Sequence, residues 1–216
     1  MEMVFEPAED IANYPALWKA VYERDQVEIR TLLEGGANTE VVGGYAVHKT
    51  TPLQQAVRMN QYMMVKLLLK HGANVHVRTH FGETVLHDAV MMLGGGDAYL
   101  MARILLENGA VIDSVNCMRW TALHLASRAD TSCVIRLLLD KNADVTLKTI
   151  GQRTAFEIAS TTQNKNMLKE AEVTAEEARA AVNDRCLAFA MGQHKRLGKE
   201  TMVFNLHPEL MNLVLK

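Results

Sequence analysis

Four short stretches of this 216-residue chain follow one pattern. Thr51-Pro-Leu-Gln-Gln-Ala, Thr84-Val-Leu-His-Asp-Ala, Thr121-Ala-Leu-His-Leu-Ala and Thr154-Ala-Phe-Glu-Ile-Ala begin 33, 37 and 33 residues apart. A second set, Gly36-Ala-Asn, Gly72-Ala-Asn, Gly109-Ala-Val and Asn142-Ala-Asp, keeps step with the first. Between the two signals of the clearest copy, Trp120 to Asp144, lie two apolar faces at helical spacing, split by a short polar break. A Thr cap, an apolar helix, a turn and a second helix make a helix–turn–helix hairpin. One such hairpin cannot bury both of its apolar faces, so copies at a fixed period must stack on one another.

A period near 33 residues opened by T-P-L-H-x-A or its variants resembles the ankyrin repeat. The resemblance spans roughly residues 13–170. It divides the chain into an acidic lead (1–13), an ankyrin domain (14–171) and a helical extension (172–216). The repeats fall at about 14–46, 47–79, 80–116, 117–149 and 150–171. The fold class expected is all-α: a solenoid of stacked helix–turn–helix units joined by β-hairpin-type loops.

Departures from the pattern carry information. Pro15 suits a first helical position, where a missing N–H costs nothing. Trp18 replaces the motif His of the first repeat, as in a terminal, capping unit. Gln54 replaces it in the second. Gly43-Gly44 supplies the positive φ of a tight turn. The third repeat carries a four-residue insertion around Gly94-Gly-Gly, read as a lengthened turn with Asp97 capping the helix beyond it. The fifth repeat opens at Thr154 and loses its closing signal. Thr174 with Glu177 matches a capping box. A new helix is expected from there to about Met191, with Ala178, Ala181, Val182, Cys186 and Phe189 on one face. Pro208 opens a last short helix.

Composition limits the function. The chain is 49% hydrophobic and 22% charged, as folded soluble proteins are. A formal charge of −2 makes no electrostatic case for nucleic acid or an anionic membrane. No apolar run reaches the ~18 residues of a spanning helix. The first ten residues are acidic and lack a signal-peptide pattern. Cys117, Cys133 and Cys186 form no CxxC pair, and a cytoplasmic or nuclear location is expected. His71, His76, His80 and His87 cluster in sequence, but their spacing fits no common zinc pattern. No nucleophile elbow or phosphate-cradling loop occurs. No metal, cofactor or enzymatic activity is expected.

What the resemblance implies is protein binding, in a concave groove lined by late first-helix positions and on projecting finger loops. The groove positions are Tyr22 and Glu23, Arg58 and Met59, Met91 and Met92, Arg128 and Ala129, Thr161 and Thr162. The finger positions are Tyr45 and His48, His80 and Phe81, Met118 and Trp120, Ile150 and Gln152. Tyr, Trp, Arg, Met and Phe are enriched at interface cores. The plainer reading is that a large residue commonly precedes the motif Thr, and that Met91 and Met92 fill space under the inserted turn. The role implied is a protein-interaction adaptor or scaffold, monomeric or bound in a complex. Two alternatives stand beside it. Leu206-His-Pro-Glu-Leu-x-x-x-Val-Leu resembles the first helix of an F-box, so Pro208, Leu210, Val214 and Leu215 would dock a ubiquitin-ligase adaptor; a cap on the stack explains the same residues. The chain could also be a structural subunit of a larger assembly.

Overall fold

The computed structural model describes residues 14–44, 49–92 and 95–197, with side chains through Val182 apart from Met92 and Ala178. Each repeat contributes a first and a second helix. The first helices are α1 (Ala16–Glu23), α3 (Pro52–Arg58), α5 (Val85–Met92), α7 (Ala122–Arg128) and α9 (Ala155–Ile158). The second helices are α2 (Gln26–Glu34), α4 (Tyr62–Lys70), α6 (Gly95–Glu107), α8 (Ser132–Asp140) and α10 (Thr162–Leu197). Every first helix packs on the next first helix, and α2, α4, α6 and α8 stack in the same order. The described residues divide into two compact units, one ending at Leu168 and the other starting at Lys169.

Local chemistry explains the start of each hairpin. Thr51, Thr121 and Thr154 hold extended backbone, and each hydroxyl accepts the N–H three residues on. In return the side chains of Gln54, His124 and Glu157 accept the capping residue's own N–H. These are capping boxes, with His124 in the place usual for Glu or Gln. Pro52 takes the first helical position of α3, whereas Pro15 stands one residue earlier, at the cap of α1. The hairpins close just as regularly: Gly36, Gly72, Gly109 and Asn142 all take positive φ, which Gly and Asn tolerate best. Between caps, the apolar faces are sealed. Ile29, Leu53, Leu68, Leu86, Met101, Leu105, Leu123, Ile135, Leu138 and Leu168 are all less than 2% exposed. Burial of that completeness contributes about 1.5–3 kcal/mol per side chain.

Three sequence expectations need correction. Gly95 and Gly96 do not belong to a lengthened turn; they begin α6, and Asp97 lies inside its first turn. Ala98, Met101, Ala102 and Leu105 are fully buried, and a stripe at that spacing outweighs a glycine cost of about 1 kcal/mol per residue. Asp97 meanwhile accepts a 2.8 Å hydrogen bond from Asn60 Nδ2. Thr174 does not cap a new helix. It lies within the 36-residue α10, and its hydroxyl donates to the carbonyl of Ala171 at 2.9 Å. No Gly or Pro occurs from Thr162 to Met191, so nothing in the sequence stops the helix once it has begun. Of the face expected there, Ala181 and Val182 are exposed. The hairpin-type loops are slighter than expected: among the described residues no strand forms, and pairing is limited to single bridges at Gly43–Thr50 and Arg78–Thr84. The acidic lead and the tail positions Pro208, Leu210, Val214 and Leu215 lie outside the described residues.

The first repeat shows how a non-His residue fills the motif position. Trp18 is 4% exposed, and its Nε1 donates to Thr50 Oγ1 at 3.1 Å, 32 residues away. Tyr14 and Tyr22 flank its ring at 4.9 and 5.4 Å. Only Gly44 of the Gly43-Gly44 pair has positive φ. Gly43 is glycine for another reason, since a Cβ there would overlap the Trp18 indole. Gly43→Ala should therefore lower stability by about 1–3 kcal/mol, the usual cost of overpacking a filled core. Urea unfolding followed by circular dichroism measures it; an unchanged midpoint would show that the indole moves aside freely.

Candidate partner-binding surface

The loops between repeats are held from below by buried imidazoles. His87 Nδ1 accepts the N–H of Thr84 at 3.2 Å and lies 2.8 Å from its hydroxyl. That leaves the proton on Nε2, which donates to the carbonyl of Trp120 in the next repeat at 2.9 Å. His124 repeats the arrangement, with Thr121 on Nδ1 and the carbonyl of Leu147 at 3.1 Å from Nε2. Burial is the largest influence on both rings and holds both pKa values below 6.5, against the opposing pull of the carbonyl bonds.

Above the imidazoles the loops bind one another. Cys117 N–H donates to the carbonyl of Phe81 at 2.9 Å, and Ile150 N–H to that of Met118 at 3.1 Å. Asn116 Nδ2 reaches Glu83 at 2.8 Å, and Arg78 reaches the carbonyl of Val115 at 2.9 Å. With their backbones spent on neighbours, the tip side chains turn outward: Phe81, Met118 and Ile150 are 51%, 54% and 54% exposed. Beside them the Arg128 guanidinium sits 5.4 Å over the half-buried Trp120 ring, a cation–π contact.

The family model for ankyrin repeats in three copies matches residues 6–79 and again 72–149. The chain belongs to the ankyrin-repeat family. Among its relatives, the B-cell lymphoma 3 protein homolog of Mus musculus is 35% identical over 120 residues, 54% of this chain and 25% of that protein. Human SH3 and multiple ankyrin repeat domains protein 2 is 30% identical over 145 residues, 67% of the chain and 8% of that protein. A putative ankyrin repeat protein of fowlpox virus is 37% identical over 100 residues, 45% of the chain and 28% of that protein. The chain thus spans well under a third of the length of each.

Placed on the ankyrin frame, the candidate residues separate into groups. Phe81, Met118, Trp120 and Arg128 come together with Ile150 along the loops, as described. His80 is exposed, its ring 3.7 Å from that of Phe81. Met91 is 48% exposed at the end of α5. Tyr22 is partly covered by its stacking on Trp18, and Met59 Sδ accepts from Gln61 Nε2 at 3.6 Å. Arg58 serves the stack. Its Nε and Nη2 both donate to Asp88 Oδ1, at 3.1 and 3.0 Å, across the boundary between repeats. Asp88 is almost wholly buried, burial pushes its carboxyl pKa up against the pull of Arg58, and its Oδ2 is buried with no partner. Thr161 also bonds across a repeat boundary, donating to the exposed Asp130 at 2.8 Å. Tyr45, His48 and the Met92 side chain lie outside the described residues. Among the described residues, no three His, Cys, Asp or Glu side chains are placed to hold a metal. No described helix is long and apolar enough to cross a membrane.

Sequence reading missed two things here, the Nε2 bonds to the loops that lead to the next first helix and Asp88. The available signal was the T-x-x-H spacing, which fixes Nδ1 and leaves Nε2 to be accounted for. A pH dependence follows. A histidine whose folded pKa is depressed lends stability that is present above its unfolded value near 6.5 and is lost as pH falls towards the folded value. Melting temperature should hold steady above pH 7 and decline as pH falls below about 6.5. His87→Gln with His124→Gln should start lower and flatten that decline; an equally steep decline in the variant would place its origin elsewhere.

Proposed function

We propose that this chain is a non-catalytic adaptor that holds a partner protein on its ankyrin loops and the adjoining ends of the first helices. The observation that carries the reading is the row Phe81, Met118 and Ile150. These large apolar side chains stand exposed at successive loop tips, pinned in relation to one another by main-chain hydrogen bonds. Pre-ordered apolar and aromatic side chains lose little freedom on binding, which is what makes hot spots. A net charge of −2 favours protein over nucleic acid as the partner. The cysteine pattern favours cytoplasm or nucleus.

The test compares wild type with Phe81→Ala/Met118→Ala/Ile150→Ala in capture and crosslinking mass spectrometry from source-cell extract. Because these side chains are exposed, thermal stability should stay nearly unchanged, while a partner crosslinked through residues 78–153 in wild type is lost. Full retention by the variant would remove the loops from the binding surface.

A second reading rests on Leu206-His-Pro-Glu-Leu, where Pro208, Leu210, Val214 and Leu215 would dock a ubiquitin-ligase adaptor. Removal of residues 205–216 separates it from a capping role. Docking predicts loss of adaptor capture with an unchanged melting temperature. Capping predicts destabilisation by about 2–5 kcal/mol for each large apolar side chain removed from the packing.

A further inference from the structure

The second helices carry a pattern that the loop surface does not use. The fully buried Ile29, Val65, Ala102 and Ile135 occupy equivalent positions in α2, α4, α6 and α8 and fix the register between repeats. Two residues before each stands an exposed apolar side chain or thiol: Val27 (76%), Met63 (56%), Leu100 (49%) and Cys133. One residue after each stands an exposed base: Arg30, Lys66, Arg103 and Arg136. Positions three apart share a helix face. The outer side of the stack therefore shows an apolar column with a basic column alongside.

Other charges on this face are part of the pattern. One turn beyond the bases lie Glu34, Lys70, Glu107 and Asp140, three acids and a lysine. Arg103 pairs with Glu107 at 2.8 Å on the exposed surface, and Arg136 Nη2 touches Met167 Sδ at 3.7 Å. Among the described residues no carboxylate pairs with Arg30 or Lys66. At the helical rise, the apolar and basic columns are about 4.5 Å apart, and the acidic column lies about 6 Å further on. A broad anionic plane, whether membrane or phosphate backbone, would meet those acids. A narrow rod need not.

Spacing along the stack selects the rod. Packed helices sit about 8–10 Å apart, and one heptad of an α-helix advances about 10.5 Å. A helix laid along the stack thus presents the same heptad positions to each repeat in turn. We propose that this outer face is a second docking surface, and that its occupant is an acidic amphipathic helix of a partner protein. One apolar side chain of each heptad rests on the Val27–Met63–Leu100–Cys133 column, and one Glu or Asp pairs with Arg30, Lys66, Arg103 or Arg136. A shallow cleft of about 300 Å³ between the first two hairpins, bordered by Arg24, Asn60, Tyr62 and Met63, receives the apolar residue at one end.

The probe is a labelled 28-residue peptide of four heptads, with one Leu and one Glu per heptad on a common face. Its control has the same composition with that register broken. Titration of the full chain by fluorescence anisotropy at low salt should give saturable one-to-one binding that weakens as salt is raised. Binding should fall at least tenfold for the control peptide and for Arg30→Gln/Lys66→Gln/Arg103→Gln/Arg136→Gln at unchanged helicity. The set Arg30→Lys/Arg103→Lys/Arg136→Lys should retain it, as should the loop variant Phe81→Ala/Met118→Ala/Ile150→Ala. The proposal is overturned by absent saturation, by equal binding of the control peptide, or by loss in the loop variant alone. Tighter binding of phosphatidylserine vesicles or single-stranded RNA through the same four bases would also overturn it.

Discussion

The third and fourth repeats are tied into the stack by a neutral imidazole that faces two ways. In the third and fourth repeats its Nδ1 completes a helix cap and its Nε2 grips a carbonyl in the loop that leads to the next first helix. A charged ring could not do this, because Nδ1 would then carry a proton and could no longer accept the cap's N–H. Burial keeps both rings neutral. Helix start and repeat-to-repeat attachment are thus one interaction. Trp18 serves the first repeat similarly, reaching Thr50 with its indole N–H.

This arrangement leaves side chains available for binding. Loop backbones satisfy one another, and about half of the surface of Phe81, Met118 and Ile150 stays open to solvent at their tips. The first-helix ends are less available, since Arg58 neutralises the buried Asp88. Removing one partner of such a pair strands a charge, so Arg58 is held in place by the cost of its absence. On the proposed reading, the surface offered to a partner is weighted towards the loops of the third to fifth repeats.

The repeat register was legible in the sequence because it rests on positions where few residue types work. A Thr that must accept an N–H, and a Gly or Asn that must hold positive φ, recur at fixed offsets for stereochemical reasons. The loop-tip residues Phe81, Met118 and Ile150 were legible on the same frame. Where reading failed, a modest local preference met a larger tertiary term. Gly95 and Gly96 looked like a turn, but the buried stripe from Ala98 to Leu105 extends the helix over them. Thr174 has the partner of a capping box but stands in a run of helix formers with nothing to break it. The structural duty of Arg58 was not legible because its counter-ion lies 30 residues away, and only the stacking of α3 on α5 brings the two together.

The central claim is that adjacent ankyrin repeats are joined through these imidazoles, and amide hydrogen exchange on His124→Ala tests it most directly. The account predicts lost protection on both sides of the bridge, at the Thr121 cap and α7 and also in the loop from Leu147 to Arg153. Residues 14–70 should exchange as in wild type. Loss confined to α7, with the loop from Leu147 to Arg153 fully protected, would contradict it and make His124 a cap and nothing more.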